Sequence, residues 1–367
     1  MTAIAPDGVE VVETPEEAER LNAPPLLILS NLRAFLTDQG LDDGTVTWRR
    51  IGEGQSNVTF AIECGARTLV LRRGPRPPHP PSTHDMLREA RVLRILGDAG
   101  VRVPRVVAVC DDDAVLGVPF YLMEHVDGVV ITDELPASFS ERDGALIGDA
   151  TIDTLVELHA LDVDDGDLST LGRPAGYLSR QIERFGSLWG VNSRRVIPAV
   201  DTLAEWLREN LPRTQRHSVV HGDYRIGNLM FERMPPPRVA AILDWEMATL
   251  GDPLADLGYL TATYSEPDTR WTPMELTSVS RRAGFRSRRE LIARYAERMP
   301  LDLSSLPWYQ TFALWKAAVF CEAMYTRWLA GERPGDAFAP ALERGVPRLL
   351  EEAAAFAGID VRVDTGA

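Results

Sequence analysis

His221–Phe231 reads HGDYRIGNLMF, and Leu243–Glu246, shortly after it, reads LDWE. Short apolar runs flank these polar segments, and such runs are typical of buried strands. The predicted strands are Ser218–Val220, Leu229–Phe231 and Val239–Leu243. Asp223 and Asp244 therefore lie at strand ends, where loops held by a rigid sheet present functional side chains.

The spacing of the polar residues indicates phosphoryl-transfer chemistry. Asn228 follows Asp223 by five positions, and Asp244 follows Asp223 by 21. Protein kinases use the same Asp-to-Asn spacing in H-R-D-x-x-x-x-N, followed by the D-F-G aspartate. We therefore predict that Asp223 takes the proton of an acceptor hydroxyl. Asn228 and Asp244 would hold Mg²⁺, which prefers oxygen ligands.

These motifs, with Gly251–Gly258 (GDPLADLG), resemble the aminoglycoside phosphotransferase family of kinase-like enzymes. Within it, the sequence is most similar to the branch that includes the kinase-like domains of acyl-CoA dehydrogenase family members ten and eleven. The resemblance extends from about Trp48 to the C-terminal helices. It implies an α+β, bilobal protein-kinase-like fold with an antiparallel-sheet N-lobe and a mainly helical C-lobe. We expect residues 1–23 to form a tail, 24–126 the N-lobe and hinge, and 127–367 the C-lobe with the catalytic loop and acceptor site.

A glycine-containing turn in the first lobe is a candidate nucleotide-binding element. Residues 52–57 read Gly-x-Gly-x-x-Asn between two predicted strands, within a three-stranded antiparallel start that spans residues 46–73. Glycines let backbone amides approach a phosphate. An ordinary hairpin explains the turn equally well when it is considered alone. Its position before a phosphoryl-transfer loop favours nucleotide contact by Gly54, Ser56 and Asn57.

Arg72 stands where kinase folds place a lysine that bridges the nucleotide phosphates and a helix glutamate. Lys316 is the only lysine in the chain, and a guanidinium can replace the ammonium charge with a different reach. Glu89, in the helix predicted over residues 84–99, is the candidate partner of Arg72. The alternative is that Arg72 is a surface residue at a strand end. By resemblance, backbone groups from Glu124 to Val126 form the hinge that pairs with the adenine.

The resemblance implies ATP as the phosphoryl donor, with GTP left open, and Mg²⁺ as the metal. Arg225 matches a lysine of many protein-kinase loops and is a candidate contact of the γ-phosphate. No Ala-Pro-Glu motif follows Asp244, which disfavours a protein kinase. The expected acceptor is a small-molecule hydroxyl, of hydroxyacyl type in this branch. The alternatives are an antibiotic O-phosphotransferase, since an acidic lobe suits polycationic aminoglycosides, and an inactive nucleotide-binding regulator.

Composition limits the other function classes. The net charge of −15 argues against nucleic-acid binding. The acidic N-terminus does not resemble a signal peptide, and no apolar run approaches a membrane span. Three scattered cysteines indicate a reducing compartment, so we expect a cytoplasmic protein. The oligomeric state is left open. Near the N-terminus, leucines at helical spacing after Pro24-Pro25 predict a helix that begins at Leu26.

Overall fold

The computed structural model describes residues 4–5, 8–41, 45–52, 57–76, 85–332 and 335–363. The chain divides into two compact units, Met1–Asp127 and Gly128–Ala367. The first unit contains, in chain order, β1 (Ile4–Ala5), β2 (Gly8–Val9), β3 (Val11–Val12), α1 (Pro15–Ala18), β4 (Leu27–Ile28), α2 (Leu29–Asp38), β5 (Val46–Ile51), β6 (Val58–Cys64), β7 (Arg67–Arg73), α3 (Met86–Asp98), β8 (Val106–Cys110), α4 (Asp113–Leu116) and β9 (Phe120–Glu124).

A five-stranded sheet in the order β5-β6-β7-β9-β8 forms the centre of the first unit, and all its pairs are antiparallel. The three-stranded antiparallel start predicted from the sequence is confirmed. Alternating apolar side chains such as Phe60, Ile62 and Leu71 are fully buried beneath it. Helix α3 begins at Met86 because the side chain of Asp85 accepts a hydrogen bond from the backbone N–H of Arg88 and caps the first turn.

The prediction of a helix beginning at Leu26 is wrong for its first turn. Leu27 and Ile28 instead pair in parallel with Val11 and Val12, and helix α2 begins at Leu29. Both paired valines are buried, so strand pairing buries apolar surface that a helical turn would have left uncovered. Arg73, 1% exposed, holds this region by donating hydrogen bonds to the backbone carbonyls of Leu26 and Leu116.

The second unit is mainly helical, with short strands near its start. It contains β10 (Val129–Val130), α5 (Gly144–Ala160), α6 (Tyr177–Asn192), α7 (Pro198–Glu209), β11 (Ser218–Val220), β12 (Leu229–Phe231), β13 (Val239–Ile242), β14 (Thr249–Gly251), α8 (Leu254–Thr263), α9 (Arg288–Arg298), α10 (Leu306–Leu329) and α11 (Leu342–Ala357). Short 3-10 helices cover Glu141–Asp143, Asp167–Leu171, Ile226–Asn228, Ser278–Arg281 and Ala339–Ala341.

Two small antiparallel sheets carry the polar motifs. Strand β12 lies between β10 and β13, and β11 pairs with β14. Helix α10 forms the centre of the helical layer because apolar residues occupy most of its faces. Its aromatic residues Trp308, Tyr309, Phe312 and Trp315 are buried. Among the described residues, no helix combines the length and apolar composition that a membrane span requires.

Candidate active site

The loop between β11 and β12 brings Asp223 and Asn228 into direct contact. The side-chain amide of Asn228 donates to Oδ2 of Asp223 at 2.8 Å and to its backbone carbonyl at 2.8 Å. The short helix Ile226–Asn228 positions this amide by returning the chain towards Asp223. Since Nδ2 makes both bonds, the carbonyl oxygen Oδ1 of Asn228 is left available as a hard ligand.

The second carboxylate oxygen of Asp223 has no hydrogen bond although it is buried. The nearest cation is Nε of Arg225 at 3.6 Å, and that nitrogen is also buried without a hydrogen-bond partner. An unsatisfied buried polar atom costs about 1–3 kcal/mol, so such atoms are rare and need an explanation. Oδ1 of Asp223 can therefore accept a hydrogen bond from a substrate hydroxyl. A base that receives a hydroxyl proton needs such an available oxygen.

Asp244 follows β13 in a strained backbone conformation. Its φ of +66° is the only positive φ at a non-glycine residue in the described part of the chain. A left-handed backbone at such a residue costs about 1–2 kcal/mol and persists where surrounding contacts enforce it. Here the backbone N–H of Leu243 donates to the carbonyl of Asn228 at 2.8 Å. The residue before Asp244 is thus tied to the end of the catalytic loop.

His221 fixes the same junction from the other side and has no free nitrogen for catalysis. The backbone N–H of Asp223 donates to its Nδ1 at 3.2 Å, so Nε2 carries the proton and donates to the carbonyl of Leu243 at 2.9 Å. The ring is fully buried, with its centroid 4.7 Å from the ring centroid of Trp245. This geometry agrees with the prediction that His221 shapes the loop rather than reacts.

Asp256, near the start of α8, holds the backbone at the start of the loop. Its carboxylate accepts hydrogen bonds from the backbone N–H of His221 at 2.7 Å and of Gly222 at 2.8 Å. His159 Nε2 lies 3.4 Å from the same carboxylate, and its Nδ1 lies 2.8 Å from the Tyr295 hydroxyl. Burial alone would raise the pKa of Asp256, but the His159 hydrogen bond and the neighbouring donors outweigh burial and lower it. Asp256 therefore stays ionised inside the core.

Gly222 and Tyr224 complete the support of the loop. Gly222 has a φ of +88°, and a Cβ atom there would lie 2.8 Å from Cβ of Met247. Only glycine meets both requirements without strain. The fully buried Tyr224 donates its hydroxyl proton to the carbonyl of Thr151 in α5 at 2.7 Å. The loop is thus anchored to two helices as well as to its own strands.

In the first unit, the structure brings Arg72 and Glu89 together. Nε of Arg72 donates to Oε2 of Glu89 at 3.1 Å, and the two side chains are 16% and 3% exposed. The guanidinium is thus held at the strand end by a buried carboxylate. Gly54 and Ser56 lie outside the described residues. Asn57 is described and is buried at the start of the strand that follows the turn.

The predicted hinge begins where β9 ends. The backbone N–H of Glu124 donates to the carbonyl of Arg105 at 2.9 Å, and its side chain pairs with the Arg105 guanidinium. The backbone of Val126 makes no hydrogen bond to any residue in the described ranges. Of the two predicted hinge positions, Val126 therefore has the main-chain groups available to a ligand.

Two features near Asp223 carry no signal in the sequence. Tyr259 of α8 has its pKa raised, first by burial and then by the negative charge of Asp223. Burial lowers the pKa of Lys316 in α10 to about 8, while the charges of Asp256 and Asp223 act in the opposite direction. Helix periodicity predicts which residues share a face, but it does not predict which helix face lies beside a distant loop.

The residues present fit a magnesium ion that is shared with nucleotide phosphates. Mg²⁺ is bound in such sites by one or two protein oxygens together with phosphates and waters. Asn228 supplies an unengaged carbonyl oxygen, and Asp244 adds a carboxylate just after the adjacent strand β13. No group of three or more His, Cys, Asp or Glu side chains in the described ranges is arranged to hold a metal ion.

Comparison with known proteins shows the family of the chain. Residues 47–291 match the model of a family described as the phosphotransferase enzyme family. The chain belongs to this phosphotransferase family. The human acyl-CoA dehydrogenase family member 11 is 34% identical over 299 residues, which cover 80% of this chain and 38% of that protein. The mouse acyl-CoA dehydrogenase family member 10 is 33% identical over 79% of this chain and 27% of that protein. The match thus spans well under half of these longer relatives.

Solved structures of other proteins share the fold. A Ralstonia eutropha protein provisionally assigned as an aminoglycoside phosphotransferase has a TM-score of 0.74 at 28% identity, covering 90% of this chain and 98% of that one. Choline kinase from Cryptosporidium parvum has a TM-score of 0.61 at 12% identity, covering 89% and 95%. The predicted α+β, protein-kinase-like fold and the predicted family resemblance are confirmed.

Proposed function

We propose that this phosphotransferase moves the γ-phosphoryl group of ATP to a hydroxyl of a small molecule, with Asp223 as the proton acceptor. The observation that carries the proposal is the asymmetry of the Asp223 carboxylate. Oδ2 is fixed by Asn228 at 2.8 Å, whereas Oδ1 is buried and has no donor. A substrate hydroxyl would supply the missing donor and would be oriented by it.

The proposed reaction balances without a further reactant. The acceptor oxygen attacks the γ-phosphorus, its proton passes to Oδ1 of Asp223, and the bond from the γ-phosphorus to the bridging oxygen breaks to release ADP. Most of the acceleration then comes from positioning and from neutralisation of charge. Asn228 and Asp244 would hold Mg²⁺, which neutralises charge on the phosphate oxygens when it is bound.

Arginines take the roles of the phosphate-binding cations in this proposal. Arg72, oriented by Glu89 at 3.1 Å, would contact the nucleotide phosphates from the first unit. Nε of Arg225 lies 3.6 Å from Oδ1 of Asp223 and makes no hydrogen bond there. We propose that this guanidinium turns to the γ-phosphate when the acceptor hydroxyl takes its place beside Asp223. The main chain at Val126 would pair with the adenine, and the turn that includes Gly54, Ser56 and Asn57 would cover the phosphates.

The proposal also specifies the class of acceptor, which is an acyl-linked alcohol. It is supported by the similarity to proteins named as acyl-CoA dehydrogenase family members, although the chain matches only a part of each. We therefore propose a hydroxyacyl-type acceptor before an aminoglycoside.

The test is a screen of hydroxyl acceptors by ADP release, with the native chain and Asp223→Asn in parallel. Turnover that depends on one acceptor class and falls about 1000-fold in Asp223→Asn supports the proposal. Asp201→Asn, an equivalent change at an exposed carboxylate of α7, is the matched control and should leave turnover unchanged. If Asp223→Asn retained the native rate on a genuine acceptor, Asp223 would not be the base.

A further inference from the structure

Lys316 is the only lysine in the chain, and it lies in the long helix α10. No carboxylate of the described residues lies within ion-pair distance of its amino group. By contrast, the nearby Arg195 pairs with the buried Glu322, and Arg294 pairs with Asp153 at 2.7 Å. In a protein with 54 acidic residues, an unpaired and partly buried ammonium requires an explanation.

The surroundings of Lys316 are aromatic. Its Nζ lies 4.9 Å from the ring centroid of Phe185 in α6 and 5.2 Å from that of Phe312 in α10. Both rings are buried, whereas Lys316 keeps partial access to solvent. Phe320, four residues further along α10, is 44% exposed and packs edge-to-face on Phe185 at 5.0 Å. Ring faces attract an ammonium but do not neutralise its charge, so the open side of the amino group can still bind an anion.

Helix α10, which carries Lys316, packs against α8, the helix whose Asp256 holds the catalytic loop. The side-chain amide of Gln310 in α10 donates to Oγ1 of Thr261 in α8 at 3.0 Å. Burial lowers the pKa of Lys316 to about 8, while the charges of Asp256 and Asp223 act in the opposite direction and that of Arg184 adds to the lowering. The ammonium is therefore largely protonated at neutral pH.

We propose that Lys316, together with Phe185 and Phe320, forms a subsite that binds an anionic group of the acceptor while the hydroxyl of that acceptor reaches Asp223. The inference rests on the proposed phosphotransferase function and narrows its acceptor to alcohols that carry a carboxylate or a phosphate. A half-buried ammonium repels a polycation, so the same subsite disfavours aminoglycosides.

The competing explanation is a packing lysine, whose aliphatic stem fills space between two rings while its ammonium reaches water. Lys316→Met separates the two explanations because it keeps an unbranched apolar stem and removes only the charge. Lys316→Arg keeps the charge with a different shape. If Lys316 only fills space, Met should preserve acceptor binding and Arg should impair it. If Lys316 binds an anion, Arg should preserve acceptor binding and Met should impair it.

The single lysine permits a direct measurement of binding. Protein labelled with ¹³C at lysine Cε gives one signal, which is titrated in the presence of a non-hydrolysable ATP analogue with Mg²⁺. The probes are 3-hydroxybutyrate and its neutral amide for the carboxylate arm, and glycerol 3-phosphate and glycerol for the phosphate arm. We expect a saturable shift of the signal with at least one anion and none with its neutral counterpart. No shift with either anion, or equal shifts with anion and neutral compound, would overturn the subsite.

Kinetics then separate the subsite from the reaction itself. With the acceptor that binds, Lys316→Met should raise KM about 10- to 100-fold with little change in kcat, because a charge-assisted contact to the acceptor is lost. Lys316→Arg should restore most of the affinity. If the anion shifts the lysine signal and no acceptor is phosphorylated, the subsite stands and the proposed reaction fails. A different result would be that acceptors are phosphorylated and that Lys316→Met has the native KM for both anionic and neutral acceptors. In that case the reaction stands and the subsite fails.

Discussion

Asp256→Asn tests how the catalytic loop is held, because this carboxylate accepts two backbone hydrogen bonds within a fully buried environment. The donors are the N–H groups of His221 at 2.7 Å and Gly222 at 2.8 Å. An asparagine side chain of the same shape keeps one carbonyl oxygen but turns an NH₂ group towards the second donor. It also removes the negative charge beside His159.

The expected loss of stability is about 3 kcal/mol. A hydrogen bond to a charged group contributes about 1.5–3 kcal/mol, and one buried N–H loses its partner with no water to replace it. The loop carrying Asp223 would shift, and a misplacement of about 1 Å can lower a rate about 100-fold. We expect kcat to fall by that order while the affinity for Mg-ATP changes little.

Asp252→Asn is the matched control, since Asp252 is also buried and lies just before α8. Burial raises the pKa of Asp252, despite hydrogen bonds that act in the opposite direction. Its environment thus favours the neutral carboxyl group, and a neutral amide should cost about 1 kcal/mol or less. Its side chain contacts Tyr309 and the N–H of Leu254 rather than the catalytic loop.

The dependence on pH distinguishes the two variants further. Because the pKa of Asp256 is lowered on folding, its ionised form stabilises the protein above the unfolded pKa of about 3.9, and this contribution is lost as the pH falls through the folded pKa. The cost of Asp256→Asn should therefore be full at pH 7 and pH 5 and shrink below about pH 4. The pKa of Asp252 is raised, so ionisation of that residue destabilises the fold as the pH rises from about 3.9 through the folded pKa.

The assays are urea unfolding between pH 3 and pH 7, hydrogen exchange of the peptide that contains residues 221 and 222, and kcat with a working acceptor. Asp256→Asn should speed exchange in that peptide, and Asp252→Asn should not. Equal costs for the two variants, or a cost of Asp256→Asn that is the same at pH 3 and pH 7, would refute this account of the loop.

Three further predictions follow from single contacts. Gly222→Ala should destabilise the protein by about 1–3 kcal/mol and lower kcat. The new Cβ would lie 2.8 Å from that of Met247, on a backbone with a φ of +88°. Unchanged urea unfolding and an unchanged kcat would contradict this. Arg72→Ala should weaken Mg-ATP binding about tenfold or more in calorimetry, and Arg72→Lys should recover part of it. Unchanged binding would show that Arg72 does not contact the nucleotide. Lys316→Met should stabilise the protein at pH 7 by about 2 kcal/mol in urea unfolding, because folding lowers the pKa of that partly exposed ammonium from 10.5 to about 8. This gain in stability should disappear as the pH rises from 8 to above 10.5.

Local patterns were sufficient to predict the frame of the site. The alternation of apolar runs and polar ends around Asp223 predicted the strands Ser218–Val220 and Leu229–Phe231, and the structure has both with those bounds. The pairing of Arg72 with Glu89 was predicted from the resemblance to kinase folds and from the position of the helix after the strand. Each of these features depends on residues that are close in sequence or on a motif of fixed order.

Features that depend on long-range packing were not predicted. The leucines near residue 26 fit a helical period, yet Leu27 and Ile28 form a strand because Val11 and Val12 offer a pairing edge. The strained backbone of Asp244 and the packing of α10 against α8 likewise arise from tertiary contacts. Propensity and periodicity contain no information about such partners.

The central claim is that Asp223, Asn228 and Asp244 form a magnesium-dependent ATP site with separate roles for its carboxylates. Calorimetric titration with ATP, in Mg²⁺ and in EDTA, tests this most directly with the native chain, Asp223→Ala and Asp244→Ala. The account predicts binding that requires Mg²⁺, is nearly unchanged in Asp223→Ala and is strongly weakened in Asp244→Ala. Binding that is equal in EDTA, or that is as strong in folded Asp244→Ala as in the native chain, would contradict it.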